Sequence, residues 1–262
     1  MKAKKFKEFF YYSISVFVIS SLLIGCGKEN KTDETGGKNI KTDTSKKTST
    51  TSGRDSPGKE IFYKKSADNN IACADCHSDG TNNGNPLTKY FSNIQGANKR
   101  VSTYHGMFKG EDVVNNAGGA TVCWESYLRM KTPLTKEQIS ALNDYYASVA
   151  GSGSAAEMMY ETIALPTRDK TKLKDAQKIV MDLKGDAVKG EQGFNNACGF
   201  CHAENATVKK VPSILEDFEG NVKSIVYNAR LGDGAMPFFK TQSLSDQEVA
   251  DISAYIMQKS GK

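Results

Sequence analysis

Two pentapeptides, CADCH at residues 73–77 and CGFCH at 198–202, share one spacing: a pair of cysteines separated by two residues, with a histidine directly after the second. That is the spacing for covalent haem attachment. The thiols of Cys73 and Cys76, and of Cys198 and Cys201, would add across haem vinyl groups as thioethers. One helical turn then brings His77 or His202 round as the proximal iron ligand. Two pentapeptides imply two covalently attached haem c groups. A four-cysteine zinc site or thiol–disulfide chemistry would also use two Cys-X-X-Cys pairs, but neither requires a histidine abutting each pair.

The elements that must position these turns are themselves duplicated. Gly58-Lys59-Glu60-Ile61-Phe62-Tyr63 precedes the first pentapeptide and Gly190-Glu191-Gln192-Gly193-Phe194-Asn195 the second, with seven more residues before the cysteine in the first copy. Pro86 and Pro212 follow the two histidines by nine and ten residues. Each half closes on a similar segment, PLTKEQISALNDYYAS at 133–148 and SLSDQEVADISAYIMQ at 243–258. Leu134/Leu244, Ile139/Val249, Leu142/Ile252 and Tyr145/Tyr255 all fall at an offset of 110. Apolar residues three to four apart predict amphipathic helices there, and Thr135 with Gln138, and Ser245 with Glu248, fit a capping box at each start. A connector at 151–185, opening Gly-Ser-Gly-Ser, is expected to hold helices at Ala155–Ile163 and Lys172–Leu183 that pack across both halves. Nothing in the chain alternates as a strand should. The expected fold is all-α, with two tandem domains at 57–150 and 186–262.

Each half resembles a class I cytochrome c domain, and the resemblance covers nearly everything from residue 57 onward. It implies that the glycine-aromatic helix crosses the terminal helix and that a distal loop supplies the sixth iron ligand. In the second half, Gly234-Ala235-Met236-Pro237-Phe238 is similar to the Met-Pro loop of that family. The resemblance therefore implies His202 and Met236 as the axial pair of the second iron, and a thioether ligand raises the potential. In the first half His105, Met107, Cys123 and Met130 all compete for the distal position. Met130 lies only four residues before Leu134, a short reach for a distal loop. Cys123 lies eleven before it, against eight from Met236 to Leu244, so position favours the thiol. His105 and Met107 sit in a Tyr-His-Gly-Met-Phe segment suited to a haem edge, and a lone histidine also reads as a surface or packing residue.

The amino terminus reads as an address. Lys2, Lys4, Lys5 and Lys7 precede an apolar run from Phe9 to Ile24, the pattern of an export signal. Its end, Leu23-Ile24-Gly25-Cys26, resembles the lipobox of bacterial lipoproteins, which implies a lipidated Cys26; an uncleaved anchor is the alternative, the run nearly spanning a bilayer. Residues 27–56 contain one apolar residue, Ile40, among eleven Ser/Thr and cannot bury enough surface to fold. As a random coil this tether spans on the order of 30 Å. The expected location is exported and lipid-anchored to a bacterial membrane, facing the periplasm or cell exterior. The formal charge is +5, and without residues 1–26 about +2, so a nearly balanced chain gives no case for nucleic-acid binding. Of six cysteines, one for lipid and four for haem leave Cys123 without a disulfide partner.

A haem motif followed some 45 residues later by a cysteine just ahead of the terminal helix resembles the dihaem thiosulfate dehydrogenases and related sulfur-oxidising cytochrome subunits. That resemblance implies a catalytic iron held by His77 and Cys123, where thiosulfate or a related small sulfur compound is oxidised, and an exit iron held by His202 and Met236. A thiolate stabilises ferric iron, so electrons would run downhill from the first site to the second. Cys123 would also be the nucleophile, and Lys99, Arg100 and Arg129 are candidates to hold a dianionic substrate, although each also reads as a solvated surface charge. Two further readings stand beside this one. The first is a non-enzymatic dihaem relay between periplasmic or membrane redox partner proteins, with Cys123 a ligand or a buried thiol. The second is a dihaem peroxidase, for which the chain is short and offers no strong distal acid–base group.

Overall fold

The computed structural model describes residues 56–81, 84–151, 161–215 and 218–262. The leader, nearly all of the tether and residues 152–160 of the connector lie outside the described residues. All the described residues belong to one compact unit.

The described residues are mostly helical, in the order α1 (Pro57–Tyr63), α2 (Cys73–Cys76), α3 (Glu111–Asn115), α4 (Ala120–Ser126), α5 (Lys136–Ser148), α6 (Lys170–Asp182), α7 (Ala187–Ala197), α8 (Gly199–His202), α9 (Val222–Leu231) and α10 (Asp246–Lys259). Local chemistry starts the long ones. Thr135 and Gln138 make a reciprocal capping box at α5, as do Ser245 and Glu248 at α10, each satisfying two of the amide donors that a helix start leaves unpaired. Ser56 and Asp186 cap α1 and α7 with side-chain oxygens.

The two halves then repeat one packing event. α1 crosses α5, and α7 crosses α10, with a glycine at each contact. A Cβ on Gly58 would lie 2.0 Å from the Ala141 carbonyl oxygen, and one on Gly190 2.0 Å from that of Asp251, so only glycine allows the backbones to approach this closely. Phe62 and Phe194, both 0% exposed, lie one turn along. Their rings meet Tyr145 and Tyr255 with centroids 5.7 and 5.6 Å apart and interplanar angles of 50° in both. The single offset of 110 between α5 and α10 is thus a packing register.

The halves differ where the first carries its seven extra residues. Ser66 to Ile71 form a tight turn held by Asn69, whose side-chain amide donates to the Tyr127 carbonyl at 2.7 Å. The same turn meets the second half: the Lys209 amide donates to the Asn69 carbonyl at 2.9 Å, Asn70 donates to the Thr207 carbonyl at 3.2 Å, and Asp68 pairs with Lys210. Core residues are also exchanged. Leu87 and Tyr90 pack among Phe194, Val226 and Ile252 of the second half, while Val208 packs among Phe62, Ile71 and Leu142 of the first. The two prolines do different work. Pro86 opens a 3₁₀ turn, Pro86–Lys89, that carries Leu87 into the second core, whereas the Pro212 carbonyl accepts from His202.

Among the connector's described residues α6 is helical and Glu161–Ile163 irregular, and α6 packs on α9 and α10 of the second half; most of the expected helix at Ala155–Ile163 lies outside the described residues. A two-residue antiparallel pair, β1 (Ser102–Thr103) with β2 (Phe108–Lys109), carries the Tyr-His-Gly-Met turn; strands this short leave no alternation to read in sequence.

Asp79, 2% exposed, ties the first half together. Tyr145 and Tyr63 donate to one of its oxygens at 2.5 and 2.7 Å, and Thr81 donates to the other. Burial disfavours the charged form, but hydrogen bonds from Tyr145, Tyr63 and Thr81 outweigh it and hold the carboxyl at about 2. The folded value lies below the ~3.9 of an unfolded aspartate, so the associated stability, about 2 kcal/mol, is present above pH ~4 and is lost as pH falls toward 2. Acid titration of the unfolding free energy should show this limb in the native chain and lose it in Asp79→Asn. Tyr145→Phe should cost ~1–3 kcal/mol at neutral pH, seen as a lower denaturant midpoint; an unchanged midpoint would remove the carboxylate from any structural role.

Candidate haem sites

Both attachment turns are built alike. The His77 amide donates to the Cys73 carbonyl at 2.9 Å, and the His202 amide donates to that of Cys198 at 2.9 Å; one helical turn therefore gathers both thiols and the imidazole. In each histidine the other side of the ring is fixed by a backbone carbonyl. Nδ1 of His77 donates to Ser92 at 2.7 Å and Nδ1 of His202 to Pro212 at 3.0 Å. This fixes the tautomer and assigns coordination to Nε2. The first carbonyl comes from fifteen residues downstream, the second from ten, because the first half has spent its proline on the exchanged core turn.

The first turn opens on a cavity lined by apolar side chains, including Phe62, Ile71, Leu87, Ile94 and Leu128, together with Cys73, Cys76 and His77. Cys123 on α4 reaches the same cavity. α4 begins on Gly118 and Gly119, at φ 65° and 104°, conformations available to glycine at little cost. Of the four distal candidates, Cys123 and His105 line the cavity. Met107 is among the exposed apolar side chains and Met130 packs into the first core. Of the two bland readings of a lone histidine, surface or packing, His105 fits the second: its ring lies 4.7 Å from that of Phe238, and burial, then Lys240, pulls it down to about 4, so the imidazole is neutral.

The donor chemistry fits haem. Burial pushes the Cys73, Cys123 and Cys198 thiols up to about 12 and Cys201 to about 11. Protonated thiols in an apolar wall are poor disulfide-exchange nucleophiles, and among the described residues no three His, Cys, Asp or Glu side chains converge on one metal position. An apolar cavity that gathers a Cys-X-X-Cys-His turn and a further sulfur or imidazole suits a haem. The residues that would hold it are Cys73, Cys76 and His77, with Cys123 or His105 as the further ligand.

In the second half, Met236, Cys198 and Phe200 are each packed against the second core. The Met236 loop is tightly held: the Phe239 amide donates to the Ala229 carbonyl at 2.6 Å, and buried Arg230 donates to the Phe239 carbonyl at 3.3 Å and to Asp246 at 2.6 Å. The residues around Met236 face elsewhere. Ala235, Pro237, Phe238 and Lys240 line the first cavity, as do Phe200 and Cys201 of the second turn. The Cys76 and Cys201 thiols lie close enough for Cys201 to add to the rise in the Cys76 pKa that burial begins.

Of the cationic candidates, only Arg100 reaches the cavity, donating to the Asn93 carbonyl at 2.7 Å. Arg129 is exposed, its guanidinium near Gly234, and Lys99 is exposed; neither lines the cavity. Sequence reasoning overlooked Lys240, a lysine that directly follows Phe238 and Phe239 and is only 8% exposed. It also overlooked the Tyr104–Tyr127 hydroxyl pair, 3.0 Å apart, on the cavity wall.

Residues 185–256, which span the second turn and Met236, match the family model described as cytochrome c oxidase, cbb3-type, subunit III. Similar curated proteins include cytochrome c6 of Diacronema lutheri, 36% identical over 84 residues, which are 29% of this chain and 100% of that protein. Cytochrome c6 of Leptolyngbya boryana is 32% identical over 83 residues, 29% of this chain and 96% of that protein. No solved structure gives a significant match. Complete coverage of cytochrome c6, on a chain whose attachment turns have the geometry that haem ligation needs, places it in the cytochrome c family, proteins that bind haem c covalently and pass electrons between redox partners.

Proposed function

We propose that this chain is an exported dihaem cytochrome c whose two domains, 57–150 and 186–262, are joined by the connector at 151–185 and tethered to a bacterial membrane through a lipid on Cys26, facing the periplasm or cell exterior. The observation that carries the dihaem reading is the duplicated attachment turn, each with its histidine Nδ1 bonded to a backbone carbonyl. The nearness of Cys76 to Cys201 supports direct exchange between the two groups.

The first site is read as His77/Cys123 and catalytic, the second as His202/Met236 and the exit. When bound, the haems supply two one-electron acceptors, one on each side of the seam. Cys123 would join its sulfur to the outer sulfur of thiosulfate, with loss of the thiol proton and two electrons; its apolar surroundings would exclude water from that bond, and Arg100, on the same cavity wall, would hold the sulfonate. Intact-mass analysis of matured protein should show two haem additions, and paramagnetic resonance of the oxidised protein should show the narrow g spread of a thiolate-bound low-spin iron. One addition only, or no such signal, would reject the corresponding assignment.

A non-enzymatic relay between redox partners is the second reading. It is favoured by the outward positions of Arg129 and Lys99, two of the three cations that the sequence offers as substrate contacts. Normal reduction by a small donor, with no response to thiosulfate, would select it.

A further inference from the structure

Tyr104 and Tyr127 line the first cavity together with Cys123, their hydroxyls 3.0 Å apart. Backbone geometry brings both to the cysteine. Tyr127 closes α4 in helical conformation, and its amide donates to the Cys123 carbonyl at 3.0 Å. The two side chains therefore lie one turn apart on one face of the helix, where a long side chain leans back over the residue four before it. Tyr104 meets the other end of α4: a Cβ on Gly119 would lie 3.2 Å from the Tyr104 Cβ. Tyr104 itself holds φ at 52°, strained for a tyrosine and kept only where the surroundings impose it. The hydroxyl protons do not balance within the pair. Two hydroxyls carry two protons and the bond between them uses one, so the second needs an acceptor outside the pair. Burial pushes both hydroxyls up, Cys123 adds to the rise and Arg168 opposes it. Of these two neighbours Arg168 has donors only, whereas a sulfur deprotonated on iron accepts.

We propose that Tyr127 donates its hydroxyl proton to the Cys123 sulfur at the first haem, and that Tyr104 donates in turn to the Tyr127 oxygen. This rests on the reading that Cys123 ligates the first iron. Tyr127 tunes that ligand, and Tyr104 is a positioning residue that sets the direction of the chain. A hydrogen bond to a thiolate draws charge from the sulfur and lessens its donation to iron, which favours the ferrous state. The first haem is then easier to reduce than a bare thiolate would leave it, as a site that takes electrons from a sulfur compound requires.

The test uses the full-length holoprotein, its haem content fixed first by intact mass and its first-haem ligation by the g spread of the oxidised native protein. Spectroelectrochemical titration then reads each haem's midpoint in native, Tyr127→Phe, Tyr104→Phe and doubly substituted proteins. Phenylalanine keeps the ring and removes only the hydroxyl. Tyr127→Phe is expected to shift the first haem's reduction equilibrium about tenfold toward ferric, a fall of ~59 mV, with the second haem unmoved. Tyr104→Phe should give a smaller fall in the same direction, because it withdraws only the partner that polarises Tyr127. The double variant should fall no further than Tyr127→Phe alone, a non-additivity that marks one chain; falls that add would mark two separate packing defects and overturn it. Should Tyr127→Phe fail to mature, Tyr104→Phe decides by sign: a lower first midpoint supports the chain, an equal or higher one overturns it. A narrow native g spread with every midpoint unchanged overturns the hydrogen bond alone. A native protein without that spread overturns Cys123 ligation and the hydrogen bond with it.

Discussion

Thiosulfate-driven reduction of the haems should fall by on the order of 10⁶-fold in Cys123→Ala, the scale on which a lone nucleophile's removal is felt. Absorption of the second haem should be unchanged. The size follows from the proposed function, in which Cys123 is both ligand and nucleophile. Within its apolar wall the thiol is pushed up to about 12 and keeps its proton at neutral pH unless a cation such as ferric iron displaces it. Cys123→Met separates the roles, because it restores a sulfur to the wall without a thiolate. The first haem's midpoint should then rise by a sizeable part of the ~0.8 V that axial ligand choice spans, with the narrow g spread lost and activity still absent. Undiminished turnover in Cys123→Ala would end the sulfur-oxidation reading. A midpoint unchanged in both variants would pass the distal position to His105, the other candidate on that wall.

Gly190→Ala is expected to destabilise the second half by about 3 kcal/mol or more. A Cβ there would lie 2.0 Å from the Asp251 carbonyl oxygen and 2.9 Å from the Tyr255 Cβ. Neither partner can yield without moving α10, which also holds buried Val249, Ile252 and Ile256. Alanine's better helix propensity returns only up to ~1 kcal/mol, so the clash decides the sign. Thermal unfolding should fall by roughly 10 °C for a chain of this size. Gly58→Ala should behave likewise in the first half, its Cβ being 2.0 Å from the Ala141 carbonyl. Gly84→Ala, with nothing within 4 Å, should stay within ~0.5 kcal/mol of the native chain. Equal melting of all three variants would mean that the helix crossings are not close-packed as described.

Sequence by itself determined what depends on neighbours a few residues away. The attachment turns are set within five residues by one backbone hydrogen bond. The capping boxes at Thr135 and Ser245 need only a reciprocal pair three residues apart. The 110-residue offset carried the packing of Tyr145 and Tyr255 on Phe62 and Phe194, because identical helix faces bury the same positions. Only the tertiary structure decided which groups meet across the halves. Pro86 and Pro212 match in spacing yet diverge in use, because Leu87 finds a better apolar site in the second core than in its own. The extra residues before Cys73 include the polar run Asp68-Asn69-Asn70, which looks like a loop, but their hydrogen bonds to Thr207 and Lys209 make them the seam. Lys240 would be assigned to solvent by its type. It is buried because the aromatic residues before it, Phe238 and Phe239, gain more by packing than an exposed loop would allow, and they draw its backbone in with them. Such contacts join positions more than a hundred residues apart, and the chain-closure entropy they must overcome is offset only by the assembled core.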